Sequence, residues 1–363
     1  MLKYIYLLHI LYIAYIGYIS ITQKRGGNMD HRKLMGFSKG SYIVTMPKSW
    51  IVKNNLKKGD TISIEEGSNE LIFYAGQKEP KRKEKAISIE TEGKKLAIIK
   101  AEIVSAYLNN CNTIEIRSKN LADDAPVIKG IIRNLSGMEI IEQTGTKIVA
   151  QDLIDVSSIS IQNIMRRMDV ITRSMIDDLL LCIGGKCDPK SIINRDTDVN
   201  RLYFLGYRVI KNAMENPAVM RELNINIWHI ANHRSVLIRV EEIADTQKRI
   251  SRLLSNAQLR GETLEGIKEI TEDIKNSYND VMKAYYTNDK KIALEIEINH
   301  ENLIEKCNKF LENASKSSSL EIRDSRQPQV LYKENIVIAN IVEFKKSALS
   351  YIRRIARIVL SAD

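Results

Sequence analysis

The chain has 363 residues, with 55 lysines and arginines against 45 aspartates and glutamates, and a formal net charge of +10. That length suits two or three domains, and the basic excess favours a polyanionic partner over an acid-seeking one, with solvated lysines as the plainer explanation. Four scattered cysteines (Cys111, Cys182, Cys187 and Cys307) with no CxxC pair exclude a disulfide-stapled secreted mini-domain and fit a cytoplasmic protein.

Tyr4 to Ile21 is an apolar run flanked by Lys3 and by Lys24-Arg25, long enough to span a membrane and lacking a small-residue cleavage site. Its narrow alphabet is also what AT-rich untranslated DNA spells, and Arg25-Gly26-Gly27-Asn28 is what a purine-rich ribosome-binding site encodes. We expect Met29 to be the natural start and residues 1–28 a start-site artefact, a genuine apolar leader and membrane anchor being the other reading.

From Gly40 to Asp60, strand, turn and helix signals follow one another without a gap. Tyr42 to Met46 is β-branched and aromatic and predicts a strand, which Pro47 ends. A helix then starts, with Trp50, Ile51 and Leu56 as its apolar stripe and Lys57-Lys58-Gly59-Asp60 as its basic last turn and stop. Thr61 to Ile64 and Glu70 to Tyr74 predict a hairpin about Glu66-Gly67-Ser68-Asn69. So short a β-rich head cannot bury a core alone, and its open edges predict an intertwined dimer.

Residues 77–85 carry five basic residues and Pro80, and predict a linker that is either a solvated tether or an arm along phosphate. Next comes a small α/β unit, residues 86–153. Ile87-Ser88-Ile89 and Thr113 to Ile116 are strands, Lys94 to Asn109 and Ala122 to Ser136 are helices, and Met138 to Gln143 with Lys147 to Ala150 form a hairpin. Asp123 and Asp124 suit an acidic helix start better than a metal pair. The Cys182 and Cys187 pair brackets the Gly184-Gly185 turn, and packed thiols are favoured there over a metal or disulfide role.

Beyond residue 153 the period is helical to the end. Ile161, Ile164, Met168, Ile171, Met175 and Leu179 form one seam, and Val199, Leu202, Gly206, Val209 and Ala213 a second. Further helices are expected over about 226–257, 264–287, 289–314 and 330–360, the last on Val337, Ile341, Phe344, Ala348, Ile352 and Ile355, with Ser315 to Gln327 as a polar loop. Asp196-Thr-Asp198-Val-Asn200 is echoed by Glu295-Ile-Glu297-Ile-Asn299, which predicts two three-helix repeats, about 154–257 and 263–361.

Two resemblances follow from these residues. The strand, Pro47, short helix, Gly59-Asp60 turn and hairpin of Gly40 to Tyr74 resemble the AbrB/SpoVT swapped-hairpin family, which implies a dimeric DNA-binding domain over 29–76. Where family members carry helix arginines this chain has Ile51 and Val52, so Arg32, Lys33, Lys39, Lys48 and Lys53 are the candidate DNA contacts. The duplicated acidic motif resembles the PhoU family of phosphate-uptake regulators, and the whole arrangement looks like archaeal PhoU-type regulators. That resemblance implies a divalent or iron ion at Asp196, Asp198, Glu295 and Glu297, although the Asn at each second motif position is a poor ligand for a hard cation. His229 and His233 lie four apart on a helix, but without a third ligand a surface or interhelical hydrogen-bonding pair is favoured.

The expected fold is therefore multidomain α+β: a small β-rich swapped-hairpin dimerisation domain, an α/β connector and an all-α duplicated three-helix bundle. The expected function is a cytoplasmic DNA-binding transcriptional regulator linked to phosphate uptake, a homodimer or higher even oligomer, without a cofactor, unless metal fills the acidic motifs. The alternative is a modulator of a phosphate ABC transporter component that uses its head only to dimerise. No nucleophile with a base, acid/base pair or cofactor loop supports an enzyme.

Overall fold

The computed structural model describes residues 31–38, 40–66, 70–76, 85–119, 121, 123–185, 188–216, 220, 225–255, 257, 259, 261–324 and 328–362. The apolar run of 4–21, the start at Met29 and nearly all of the linker lie outside these residues. The chain divides into two compact units, 1–83 and 84–363.

In the first unit, β1 (Met35–Ser38) pairs antiparallel with β2 (Ser41–Ile43) through a turn at Gly40, whose φ of 89° suits glycine. The predicted strand to Met46 stops at Ile43, because the four-residue β1 gives it nothing further to pair with. Pro47 caps α1 (Lys48–Lys53), with Trp50 N–H donating to its carbonyl at 3.0 Å. The helix ends earlier than Lys57: the Asn54 side chain donates to Trp50 O at 2.8 Å and Asn55 turns left-handed at φ 51°. Gly59, at φ 98°, serves a separate turn that the Asp60 carboxylate closes by accepting from Lys57 N–H at 2.7 Å. The second hairpin, β3 (Ile62–Glu66) with β4 (Leu71–Ala75), runs in the expected register, Ile64 opposite Phe73. None of the described side chains of residues 31–76 is buried.

The second unit opens on a mixed sheet in the order β5 (Ala86–Glu90), β6 (Thr113–Arg117), β8 (Lys147–Asp152), β7 (Met138–Gln143). Only β5 and β6 are parallel, joined by α2 (Leu96–Leu108), while α3 (Ala125–Arg133) leads into the hairpin. Ile89, Ile114, Ile116 and Ile148 from the strands meet Ile99, Ile103, Tyr107, Ile128 and Ile132 from the helices, all buried. Asp124 occupies the cap position of α3, but its carboxylate makes no capping bond.

Among the described residues six long α-helices follow: α4 (Ile161–Ile183), α5 (Pro189–Glu215), α6 (Ile227–Ser255), α7 (Glu262–Thr287), α8 (Lys290–Asp324) and α9 (Pro328–Leu360). Their buried residues form one continuous core from Val156 to Val359. The predicted loop from Ser315 is helical as far as Asp324. Polar residues there continue the backbone ladder, and Ser315 Oγ donates to Leu311 O at 2.8 Å, so its hydroxyl does not compete with the helix. Cys111 and Cys307 are buried free thiols, whereas Cys182 is disulfide-bonded, against the packed thiol expected. Among the described residues no helix is long and apolar enough to cross a membrane.

The helix caps set the register of the repeat. Asp188 accepts from Lys190 N–H at 2.9 Å to start α5, and Asp289 accepts from Lys291 N–H at 2.9 Å to start α8. Counting from each cap, Asp196 is equivalent to Glu297, not to Glu295, and Asn200 to Glu301. Burial follows the same register: Ile192 and Val199 match Ala293 and His300. The third helices repeat as well, Lys248-Arg249-Ile250-Ser251-Arg252 against Arg353-Arg354-Ile355-Ala356-Arg357. In that alignment Val236, Val240 and Ile243 correspond to Ile341, Lys345 and Ala348, all buried.

Candidate nucleic-acid interface and the acidic motifs

The basic side chains of the head gather before Asp60. From His31 to Gly59 there are seven lysines and arginines and no acidic residue, a segregation visible in the sequence and stronger than the overall charge. Arg32 and Lys33 precede β1, Lys48 and Lys53 are the first and last residues of α1, and all four are exposed; Lys39 lies outside the described residues. Lys57 and Lys58, expected to end the helix, are exposed in the turn after it and add to the same field. Apolar side chains stand open among them: Phe37 is 75% exposed, Tyr42 71% and Val52 64%. Cations at this density attract phosphate, and the open apolar surface calls for a covering partner.

The acidic motifs are engaged within the chain. Asp196 Oδ2 accepts from Lys248 Nζ at 2.7 Å and from Asn200 Nδ2 at 2.8 Å. Lys248 also pairs with Asp245 at 2.6 Å, and the Lys248 and Asp196 side chains are only 7% and 10% exposed. In the second repeat Glu297 takes a two-pronged bond from Arg357, at 2.9 and 2.8 Å, and one from Arg353 Nε at 2.9 Å. Arg357 and then Arg353 hold its carboxyl down at about 2. Glu301 accepts from Arg353 at 3.0 Å. Asp198 and Glu295 are exposed, each two positions and so roughly 200° around its helix from the engaged acid.

A divalent ion needs several free oxygen or nitrogen donors converging on one point. Asp196 Oδ2 and both Glu297 oxygens are already taken by side-chain donors and Asp198 and Glu295 lie on other faces, so the predicted set of Asp196, Asp198, Glu295 and Glu297 does not converge. Among the described residues no group of three or more His, Cys, Asp or Glu could hold a metal ion. His229 and His233 bond to different partners. His229 N–H donates to Asn226 Oδ1 at 2.8 Å, and His233 shares a 2.6 Å hydrogen bond with Tyr285 of α7, the interhelical role expected. Burial, and then His229, lower the His233 pKa.

The family described as "Antidote-toxin recognition MazE, bacterial antitoxin" matches residues 38–85. That segment is a MazE/AbrB-type domain, as the order of strand, proline, helix and hairpin indicated. Among solved structures, "Crystal structure of PhoU from Pseudomonas aeruginosa" aligns at 13% identity and a TM-score of 0.45, covering 55% of this chain and 93% of that one. No curated protein matches the chain.

Proposed function

We propose that the chain is a homodimeric DNA-binding regulator of transcription linked to phosphate uptake, working in the cytoplasm and without catalytic activity of its own. The observation that carries this is the head: a MazE/AbrB-type segment with seven cations, no acid from His31 to Gly59, and no buried side chain among those described. A second copy would supply the missing core, and doubling the head would bring two sets of Arg32, Lys33, Lys39, Lys48 and Lys53 onto one duplex. The link to phosphate rests on the sequence resemblance to PhoU of two three-helix repeats that each carry an acidic residue in the second helix, Asp196 and, in the register of the caps, Glu297. A phosphate-transporter component is accordingly the partner we assign to the bundle.

Contacts to phosphate dominate this interface, since Ile51 and Val52 stand where family members carry arginine. Duplex affinity measured across ionic strength is therefore expected to fall by about 10³–10⁵ between 50 and 200 mM salt for six to ten neutralised phosphates. Lys48→Glu with Lys53→Glu is expected to flatten that salt slope by about one unit for each lysine lost. Absence of binding at low salt would remove the DNA reading. The exposed Val52 favours the second reading, a transporter modulator that uses its head only to dimerise. Sedimentation showing a dimer that does not bind DNA would select it.

A further inference from the structure

We infer that arginines of the third helix keep metal out of this bundle: Arg353 and Arg357 stand, in the second repeat, where a cation would otherwise sit. The caps place Glu297, His300 and Glu301 at successive positions i, i+3 and i+4 of α8, a spacing that sets three ligand side chains on one helical face. As placed the three do not converge on one point, but their donor chemistry, two carboxylates and an imidazole, is that of a site for zinc or iron. Instead, both Glu297 oxygens are filled by guanidinium groups, Arg357 gripping Glu297 by two bonds while Arg353 bridges Glu297 to Glu301. His300 is buried beside them, and burial first, then Arg353, lowers its pKa against the pull of Glu301 and Glu297.

The first repeat solves the same problem differently. Asp196 has no carboxylate four residues on and no histidine three residues on, only Asn200 and Val199, and the ammonium of Lys248 occupies its oxygen. Both closing groups come from the matched run Lys248 to Arg252 and Arg353 to Arg357. The closure is thus a property of the duplicated unit and not of one surface ion pair. A divalent ion at Glu297 would have to displace two guanidiniums already hydrogen-bonded to it, and each would then repel it. This inference concerns the bundle alone and stands or falls independently of DNA binding.

Elemental analysis and zinc titration of the full-length protein test it. The unaltered chain is expected to hold no stoichiometric metal after exposure to zinc or iron, and its unfolding midpoint to be the same in zinc and in chelator. Arg353→Gln with Arg357→Gln, which keeps polar side chains at half-exposed positions, is expected to bind zinc at least tenfold more tightly than the unaltered chain. Adding Glu297→Gln to that variant should abolish the gain. Circular dichroism confirms that each variant is folded, and single Arg357→Gln supplies a milder form. Stoichiometric metal in the unaltered chain that is lost on Glu297→Gln would overturn the inference. So would a folded double variant that gains no zinc affinity.

Discussion

Lys345→Met is expected to stabilise the helical bundle by about 4 kcal/mol at pH 7, an unusual gain for a single core substitution. Lys345 lies in the buried seam of α9, 1% exposed, and its Nζ has no hydrogen-bond partner among the described residues. Burial pulls its pKa from 10.5 down to about 7, opposed only by Cys307, whose own thiol is pushed up to about 11. Each unit of that shift is worth about 1.4 kcal/mol, and most of the downward displacement is felt at neutral pH.

The direction with pH follows from proton counting. The folded pKa is lower than the unfolded one, so between pH 7 and 10.5 the unfolded chain holds more protons and stability rises with pH. Below pH 7 both states hold the proton and the cost is constant. Urea midpoints of the unaltered chain minus those of the variant, taken from pH 6.5 to 9, should therefore converge as pH rises. A difference independent of pH would show that Lys345 is paired after all. The first repeat supplies the control, because Val240 fills the equivalent position and is wholly buried.

Arg208→Met is expected to cost about 3–5 kcal/mol, because it removes the cation paired with a buried carboxylate, Asp152. Arg208 is fully buried on α5. Its Nη2 donates to Asp152 Oδ2 at 2.6 Å, its Nε to Asn110 Oδ1 at 3.2 Å, and its guanidinium lies 4.2 Å from the centre of the Tyr107 ring. Asp152 ends β8, while Tyr107 and Asn110 belong to α2 and the turn after it. One side chain of the bundle thus joins the sheet, the helix and the loop of the α/β layer. Replacing Asp152 as well, in Arg208→Met with Asp152→Leu, should recover much of the loss, since a dry apolar pair avoids the desolvation that the ion pair suffers. Hydrogen exchange should quicken at residues 109–112 and 150–154 in the single variant and recover in the double. Additive losses in the double-mutant cycle would show that the two groups are not coupled.

Much of this fold could be read from periodicity. The strands of the α/β layer alternate, and the bundle helices carry apolar seams long enough to fix their existence and nearly their ends. What escaped the sequence had physical reasons. β1 has no strand-forming pattern in Met35-Gly36-Phe37-Ser38 and exists through its pairing across Gly40. The polar stretch after Ser315 has no seam, yet it holds neither glycine nor proline up to Asp324. Small errors of phase also mattered. The seam of α9 predicts Phe344 inward, and it does pack, half-buried, against the core and under Arg249, while Lys345 beside it takes the fully buried place. Similarity alone aligns the acidic runs two residues away from the register that the caps Asp188 and Asp289 impose. The basic repeat in α6 and α9, which neutralises both motifs, was legible in the letters, but its role depends on which side chains converge in space. The candidate DNA contacts were individually visible, and the acid-free run that unites them was the stronger signal.

The open head has a calorimetric consequence. Heat-capacity increments on unfolding come mainly from apolar surface newly wetted, and a head whose Phe37, Tyr42, Ile64 and Leu71 already face solvent has little left to wet. In a dilute scan the step in baseline should therefore report residues 84–363 almost alone. An additional increment that grows with protein concentration would measure the hydration shed when two heads close over one another.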